Sequence, residues 1–252
     1  METGQAPACA HSCVGRIRYM GVLLYDADAI EGVVHAPDEE LLAAQMDAIL
    51  DPFDPSVIAE AKAAGIGDDW IDSAQRSPAW LFVKEWGLAL PLHPEYRTAA
   101  MMFYIPPLSP VMSTIERNLA RLDIGSNEHD FELFEQLEIA RLPLEYLANL
   151  FSIGDDEIIR NILRKMLAVR MYKRRQSVEG HVDEATLAAL EAAGTNPDEV
   201  EAIYKMTTLP TMEERFVLPP YHREMAIEEL NDPLVHKGAV GVGYMDPPRR
   251  GA

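Results

Sequence analysis

The sequence predicts a mostly α protein with irregular, Pro-rich extended segments. Three observations predict it. Helix-start devices recur along the chain, with Asp, Ser or Asn before Pro or an acidic first turn. Apolar residues after Asp155-Asp156 recur at helical spacing: Ile158, Ile159, Ile162, Leu163, Met166 and Leu167. Between Leu88 and Pro110 lie Pro91, Pro94, Pro106, Pro107 and Pro110, which forbid a continuous helix or a central strand.

The elements follow in order. Val14 to Asp28 alternates Arg16 and Arg18 with Ile17 and Tyr19 before VLLY, which predicts a strand or a strand and turn. Pro37-Asp38-Glu39-Glu40 places acids in a first helical turn, where they suit the helix dipole, and Leu42, Met46, Ile49 and Leu50 form a stripe behind them. Asp54-Pro55 starts a helix that Gly65 ends. Ser77-Pro78 starts another that carries AWLFVKEW, and Ser109-Pro110 repeats the device before VMSTIERNLARL. Asn196-Pro197-Asp198-Glu199 is close to a capping box. The strap from Leu88 to Pro110 is expected to lie extended over a neighbouring surface, near Pro106 one that belongs to a partner or to residues missing from this chain. The Gly- and Pro-rich tail after Leu230 is expected to be loose.

The 252 residues carry 22 Lys and Arg against 41 Asp and Glu, a formal net charge of -19. A surface that acidic repels phosphate backbones, so nucleic-acid binding is excluded as a role. The charge is also segregated. Asp26 to Asp72 holds thirteen acids and one base, Lys62, while Ile158 to Arg175 holds seven bases and no acid. Such a pattern suggests internal docking or a charged partner surface. The longest uncharged run, Thr98 to Thr114, is broken by prolines and falls short of the roughly 20 apolar residues of a membrane span. The first residues lack the basic and apolar regions of a signal peptide.

Cys9 and Cys13 are the two cysteines, so a disulfide scaffold is excluded. A C-x3-C pair closes the cysteine run of bacterial ferredoxins, where the last cysteine ligates the other cluster of a pair. The same spacing also fits a zinc site with His11 as a third ligand, or two free thiols. The seven histidines form no H-E-x-x-H or other ligand spacing. Asp68-Asp69 and Asp155-Asp156 sit where helices start, which accounts for them without acid–base catalysis. Gly238, Gly241 and Gly243 precede Tyr-Met-Asp-Pro-Pro rather than a helix, so they are not a dinucleotide fingerprint. The residues spell out no self-contained active site.

Several stretches resemble the beta subunits of respiratory nitrate reductases, the iron–sulfur electron-transfer chains of those molybdenum enzymes. They are ETGQAPACAHSCVGRIRYMGVLLYDADAIE, LDPFDP, WGLALPLHPEYRTAAMMFYIPPLSP, RLPLEYLANLFSIGD, ILRKMLAVRMYKRR and ERFVLPPYHRE, in the family's order from Glu2 to about Glu229. The family's last cysteine pair has the pattern C-x3-C-V-G-R-I-R-Y, which Cys9 and Cys13 match. The resemblance implies that each thiolate ligates a different [4Fe-4S] cluster, and that Arg16 and Arg18 are charges near those clusters. It implies residues 1–30 as the end of a ferredoxin-like cluster-binding region, 31–230 as a helical C-terminal domain of nitrate reductase beta type, and 231–252 as tail. The family's earlier cysteines are absent from this sequence. The clusters' other ligands are therefore expected from residues missing from this chain, in an upstream beta-chain polypeptide. A two-fold dimer sharing its thiolates ranks behind that arrangement. Implied partners are a molybdopterin catalytic alpha subunit and a haem b membrane gamma subunit, on the cytoplasmic side of the membrane. The implied role is a non-catalytic electron-transfer subunit, or a C-terminal fragment of one. The alternative is a cluster-free module that binds the catalytic subunit during assembly.

Overall fold

A computed structural model describes residues 6–114 and 141–220. The chain is mostly helical, as the sequence predicts, around one two-stranded ribbon. Strand β1 (Arg18–Met20) pairs antiparallel with β2 (Met102–Tyr104), with Tyr19 opposite Phe103. The strand expected within Val14 to Asp28 is thus three residues long. Asp26 ends the extended stretch by capping a helix, its carboxylate accepting from the Asp28 and Ala29 amides.

Before the ribbon comes one helical turn, α1 (Ala8–His11). Between β1 and β2 run α2 (Ala27–His35), α3 (Asp38–Asp47), α4 (Pro55–Ala63), α5 (Asp68–Gln75) and α6 (Pro78–Trp80). Asp54 and Ser77 cap α4 and α6 as their prolines foretell, and Gly65 leaves α4 with a left-handed φ of 86°. Helix α6 widens at Leu81–Glu85, where the Trp86 amide reaches back to the Leu81 carbonyl at 3.0 Å. The widening turns both Phe82 and Trp86 into the core.

The second half contains α7 (Arg141–Phe151), α8 (Asp156–Arg174), α9 (Glu184–Ala192), α10 (Pro197–Thr208) and α11 (Met212–Arg215). The long α8 packs against α7, α9 and α10. Asp155 caps it, and its apolar face, Ile159, Ile162, Leu163, Met166 and Leu167, is buried as the spacing predicts. These residues join Tyr19, Phe82, Trp86, Phe103 and Leu147 in the main core. At Asn196 the cap carboxamide accepts from the Asp198 and Glu199 amides, whereas the Glu199 carboxylate turns to the Thr195 hydroxyl instead of closing a capping box.

The Pro-rich strap corrects one expectation. It does run extended, with a tight turn at Pro94–Tyr96 and an edge strand at β2. Most of its apolar residues, however, are consumed within the chain: Leu88, Leu90, Phe103, Ile105 and Leu108 are buried in the main core and Pro106 is buried too, while Leu92 and Tyr96 are exposed. The prolines leave the backbone extended, so alternate side chains can turn inward while the Leu90 and Tyr104 peptide groups bond each other.

The basic face of α8 shows the first of its two expected uses, pairing within the chain. Arg164 and Lys173 pair with Glu157 and Glu201, Arg175 with Glu179 and Asp183, and Arg160 with Asp156. Lys165 donates to the Trp86 carbonyl at 2.9 Å, and burial pulls its ammonium below its ordinary pKa. These partners lie on or beside α8 and α10, or at the end of α6, rather than in the acidic stretch Asp26 to Asp72. Among the described residues no helix is long and apolar enough to cross a membrane. The tail after Leu230, the Gly238–Gly243 motif and most of VMSTIERNLARL lie outside the described residues.

Gly21 follows β1 where the chain crosses the cap of α6. A Cβ there would stand 1.9 Å from the Ser77 Oγ and 2.8 Å from its Cβ. Gly32, inside α2, has no neighbour within 4 Å of its added Cβ. We expect Gly21→Ala to destabilise the chain by about 1–3 kcal/mol in urea denaturation. Gly32→Ala should be neutral or stabilise by up to about 1 kcal/mol. Equal midpoints for the two variants would contradict this packing.

Candidate functional site

The two cysteines sit on a compact N-terminal turn. The Pro7 carbonyl accepts from the Ala10 and His11 amides at 2.8 and 3.2 Å, which closes α1 around Cys9. Ser12 then ends the turn, its amide and its hydroxyl both bonding the Ala8 carbonyl at 2.9 Å. Cys13 begins a second turn, in which its carbonyl accepts from the Arg16 amide at 3.1 Å and Arg16 adopts a left-handed φ of 51°. Both cysteines are unbridged thiols; Cys9 is exposed and Cys13 half-buried.

Between them Ala10 is wholly buried, and this anchors the turn. It packs with Met20 and Phe216, flanked by Ala6, Met101, Met102 and Leu218. Phe216 reaches this place because it pairs in parallel with Met20, the Val217 amide donating to the Met20 carbonyl at 2.9 Å. The cysteine turn, the ribbon and the segment after α11 are therefore one packed unit.

Arginines hold that unit together. The Arg18 Nη1 donates to the Cys9 carbonyl, and the guanidinium lies 5.5 Å from the Tyr104 ring centroid. Arg215, only 4% exposed, donates from Nη2 to the Arg18 carbonyl at 3.2 Å. Its guanidinium lies 4.7 Å from the Phe216 ring and 5.9 Å from Tyr19. Burial pulls Arg215 down from its ordinary pKa, while Tyr19 and Cys13 beside it act in the opposite direction. Burial likewise pushes the Tyr104 phenol up, with Arg18 opposing. The Nε of Arg18 and the Nε of Arg215 are both buried without a hydrogen-bond partner.

Of the residues the sequence singled out, the structure brings Cys9, Cys13, Arg16 and Arg18 together at this turn. His11 goes elsewhere, its ring 6.3 Å from that of Phe216. Among the described residues no three His, Cys, Asp or Glu side chains gather as a metal-binding group, which removes the zinc reading of Cys9, His11 and Cys13. Asp155 is a helix cap and Asp68 pairs with exposed Lys62, so neither acid pair forms a catalytic dyad. The chain supplies two thiols in a setting of guanidinium groups. That donor set fits part of an iron–sulfur ligand shell, since a [4Fe-4S] cluster takes four thiolates. Arg215 is the residue that sequence reasoning missed. Its only local signal is the capping box at Thr211 and Glu214, which marks a helix start and says nothing of a cysteine about 200 residues earlier.

Residues 108–194 match the family model for the respiratory nitrate reductase beta C-terminal region. The chain is 45% identical over 229 residues to the respiratory nitrate reductase 1 beta chain of Shigella flexneri, covering 90% of this chain and 43% of that one. It is 44% identical over 247 residues to the respiratory nitrate reductase 2 beta chain of Escherichia coli K12, covering 98% and 45%. With the nitrate reductase beta chain of Bacillus subtilis 168 it shares 38% identity over 249 residues, covering 98% and 48%. By sequence, the chain belongs with the respiratory nitrate reductase beta chains. It corresponds to their C-terminal portion and spans about half the length of these relatives.

The capping box that presents Arg215 has an acid limit. The Glu214 carboxylate accepts from the Lys205 ammonium and the Thr211 amide, which hold its pKa down from 4.5 to about 2. A carboxylate depressed in the folded state stabilises it above its ordinary pKa and ceases to do so as pH falls through the folded value. Hydrogen-exchange protection of the Phe216 and Val217 amides, corrected for intrinsic rates, should therefore fall between about pH 4.5 and 2. In Glu214→Gln that step should vanish. Its persistence there would refute the assignment.

Proposed function

We propose that the chain is the C-terminal portion of an electron-transfer subunit of a molybdenum nitrate reductase. On this reading, Cys9 and Cys13 are the last ligands of two different [4Fe-4S] clusters. The observation that carries the reading is the buried Ala10 between two free thiols. It fixes the turn so that Cys9 and Cys13 leave it at separate points, one exposed and one half-buried. Thiolates are the ligands that iron–sulfur clusters take. The similarity to nitrate reductase beta chains over 90% or more of this chain supports the same assignment.

When bound, such clusters carry one electron each and do no substrate chemistry. This chain's part is structural and electrostatic. Arg18 fixes the backbone at Cys9. The ribbon and Phe216 fix the turn against the helical body. Residues 1–30 form the cluster-binding end and 31–230 the helical body. The remaining thiolates come from an upstream beta-chain polypeptide. A haem b membrane subunit supplies electrons on the cytoplasmic side and a molybdopterin alpha subunit receives them, with the beta chain peripheral to the membrane.

Anaerobic assembly with the polypeptides that supply the other thiolates tests this. Cys9→Ser and Cys13→Ser should each abolish or alter one electron paramagnetic resonance signal, and not the same one. If the double variant keeps every signal and its full iron content, the ligand reading fails. Copurification of the chain with the catalytic subunit in a complex that holds no iron, undiminished in the double variant, would favour a cluster-free assembly module.

A further inference from the structure

The strap buries most of its apolar residues but not the tip of its turn. Leu92 and Tyr96 are exposed, Tyr96 at 71%, while Pro91 and Pro94 beside them are buried. Val34, at the end of α2, is 50% exposed, and its carbonyl lies 3.4 Å from the guanidinium of Arg97, the residue after Tyr96. On the other flank the His93 amide donates to the Leu150 carbonyl of α7 at 2.8 Å. One and two turns before Leu150, on the same face of α7, lie Tyr146 and Leu142, 65% and 79% exposed. Exposed apolar side chains that adjoin in this way mark an interaction surface, whereas scattered ones do not.

The turn is held rigid. His93 and Arg97, at its two ends, take left-handed φ values of 52° and 55°, a conformation that is costly for residues other than glycine. Side-chain ties offset that cost. The His93 Nδ1 and the Glu95 carboxylate are 2.7 Å apart, and the Gln45 Nε2 donates to the Pro94 carbonyl at 2.8 Å. The Arg97 Nη1 donates to the Val33 and Ala36 carbonyls at 2.9 and 2.7 Å, and its Nη2 pairs with Asp38 at 2.8 Å. The Tyr96 backbone is thereby fixed before any contact, so little freedom is left to lose on binding.

Charge decides the occupant. Glu31, one turn before Val34, and Glu39 and Glu40, beside Asp38, are exposed acids at the edge of this surface. Arg97 is engaged by Asp38 and by carbonyls, and Arg141 at the α7 end is engaged by Glu145. A second copy of this chain would bring acids against acids. Residues 115–140 hold seven acids and two bases, and residues 221–252 five acids and four bases, so neither stretch, taken whole, has the basic excess that would complement this edge.

We propose that the turn at residues 92–97 is a docking knob, with Tyr96 as its anchor, for a separate subunit whose surface offers an apolar pocket rimmed by Lys and Arg. This rests on the chain working inside a larger complex, and not on Cys9 or Cys13 as cluster ligands. A tyrosine suits the role, because its ring buries a large apolar area while its hydroxyl stays at the wet edge of the pocket. Leu92, Val34 and the two residues of α7 widen the apolar contact. The acids of α2 and α3 meet the basic rim, which sets the orientation of the partner and speeds the encounter.

The test uses the complex assembled anaerobically from this chain, the upstream beta-chain polypeptide and the catalytic and membrane subunits, with Tyr96→p-benzoylphenylalanine as a photo-cross-linker. Irradiation should join this position to apolar residues of another subunit, within a stretch that carries more Lys and Arg than Asp and Glu. Cross-links confined to this chain, or to a second copy of it as told by mixing isotope-labelled and unlabelled chains, overturn the proposal. So does attachment to a stretch without a basic excess, or no cross-link in the intact complex. Tyr96→Ala should weaken retention of the cross-linked subunit roughly tenfold while leaving the urea midpoint of the chain unchanged, because the side chain is exposed. Glu39→Lys combined with Glu40→Lys should weaken retention at low salt and lose that effect at high salt. Undiminished retention in these variants overturns the proposal. Electron paramagnetic resonance on the same samples separates the two claims. Cysteine-dependent signals without a cross-link between subunits remove the knob alone. A cross-link without such signals supports the knob and removes the ligand assignment. Failure of the unaltered chain to join any subunit removes both.

Discussion

The backbone of Arg18–Met20 is hydrogen-bonded along both edges, and the rest of the structure is arranged around that fact. On one edge lies β2, from the Pro-rich strap; on the other the Phe216 segment, whose Val217 amide bonds the Met20 carbonyl. Beneath, the Tyr19 ring is wholly buried 4.1 Å from Phe82, and its hydroxyl bonds the Met206 carbonyl at the end of α10. Burial of the phenol pushes its pKa well up and keeps it protonated as a donor. Three residues thus join four stretches of chain that are far apart in sequence. The cysteine turn has no core of its own, only Ala10, and takes its rigidity from this junction.

Charge follows the same economy. The net charge of -19 is carried in large part by the helices between Asp26 and Asp72, whose acids mostly cap or open helices. Arg160, Arg164, Lys165 and Lys173 of α8 are matched by neighbours on or close to that helix. What remains concentrated is the arginine group at the cysteines. Arg16, Arg18 and Arg215 raise the local potential where the protein as a whole is acidic.

Local rules made much of this legible in the sequence. Asp54-Pro55, Ser77-Pro78 and Asp155 are helix starts because a carboxylate or hydroxyl there satisfies amides that a helix leaves open, and the structure bears out each one. The apolar face of α8 follows from its periodicity. The widened turn after α6 was not legible, since its cause is the burial of both Phe82 and Trp86 against Tyr19. The destination of the strap was misread for a related reason. An apolar, Pro-rich segment must be covered, but composition does not say by what, and here the chain's own α7 and α8 cover it. At the site, spacing and resemblance singled out Cys9 and Cys13. Arg215 could not be found that way, because a parallel pairing between Met20 and Phe216 leaves no periodic trace.

The central claim is that this junction presents two thiolates to two separate clusters. A cryo-electron microscopy map of the assembled complex, at a resolution that separates sulfur from iron, tests it most directly. The account predicts the Cys9 Sγ bonded to iron of one [4Fe-4S] cluster and the Cys13 Sγ to iron of another. Both sulfurs on one cluster, or neither at bonding distance from iron, would contradict it.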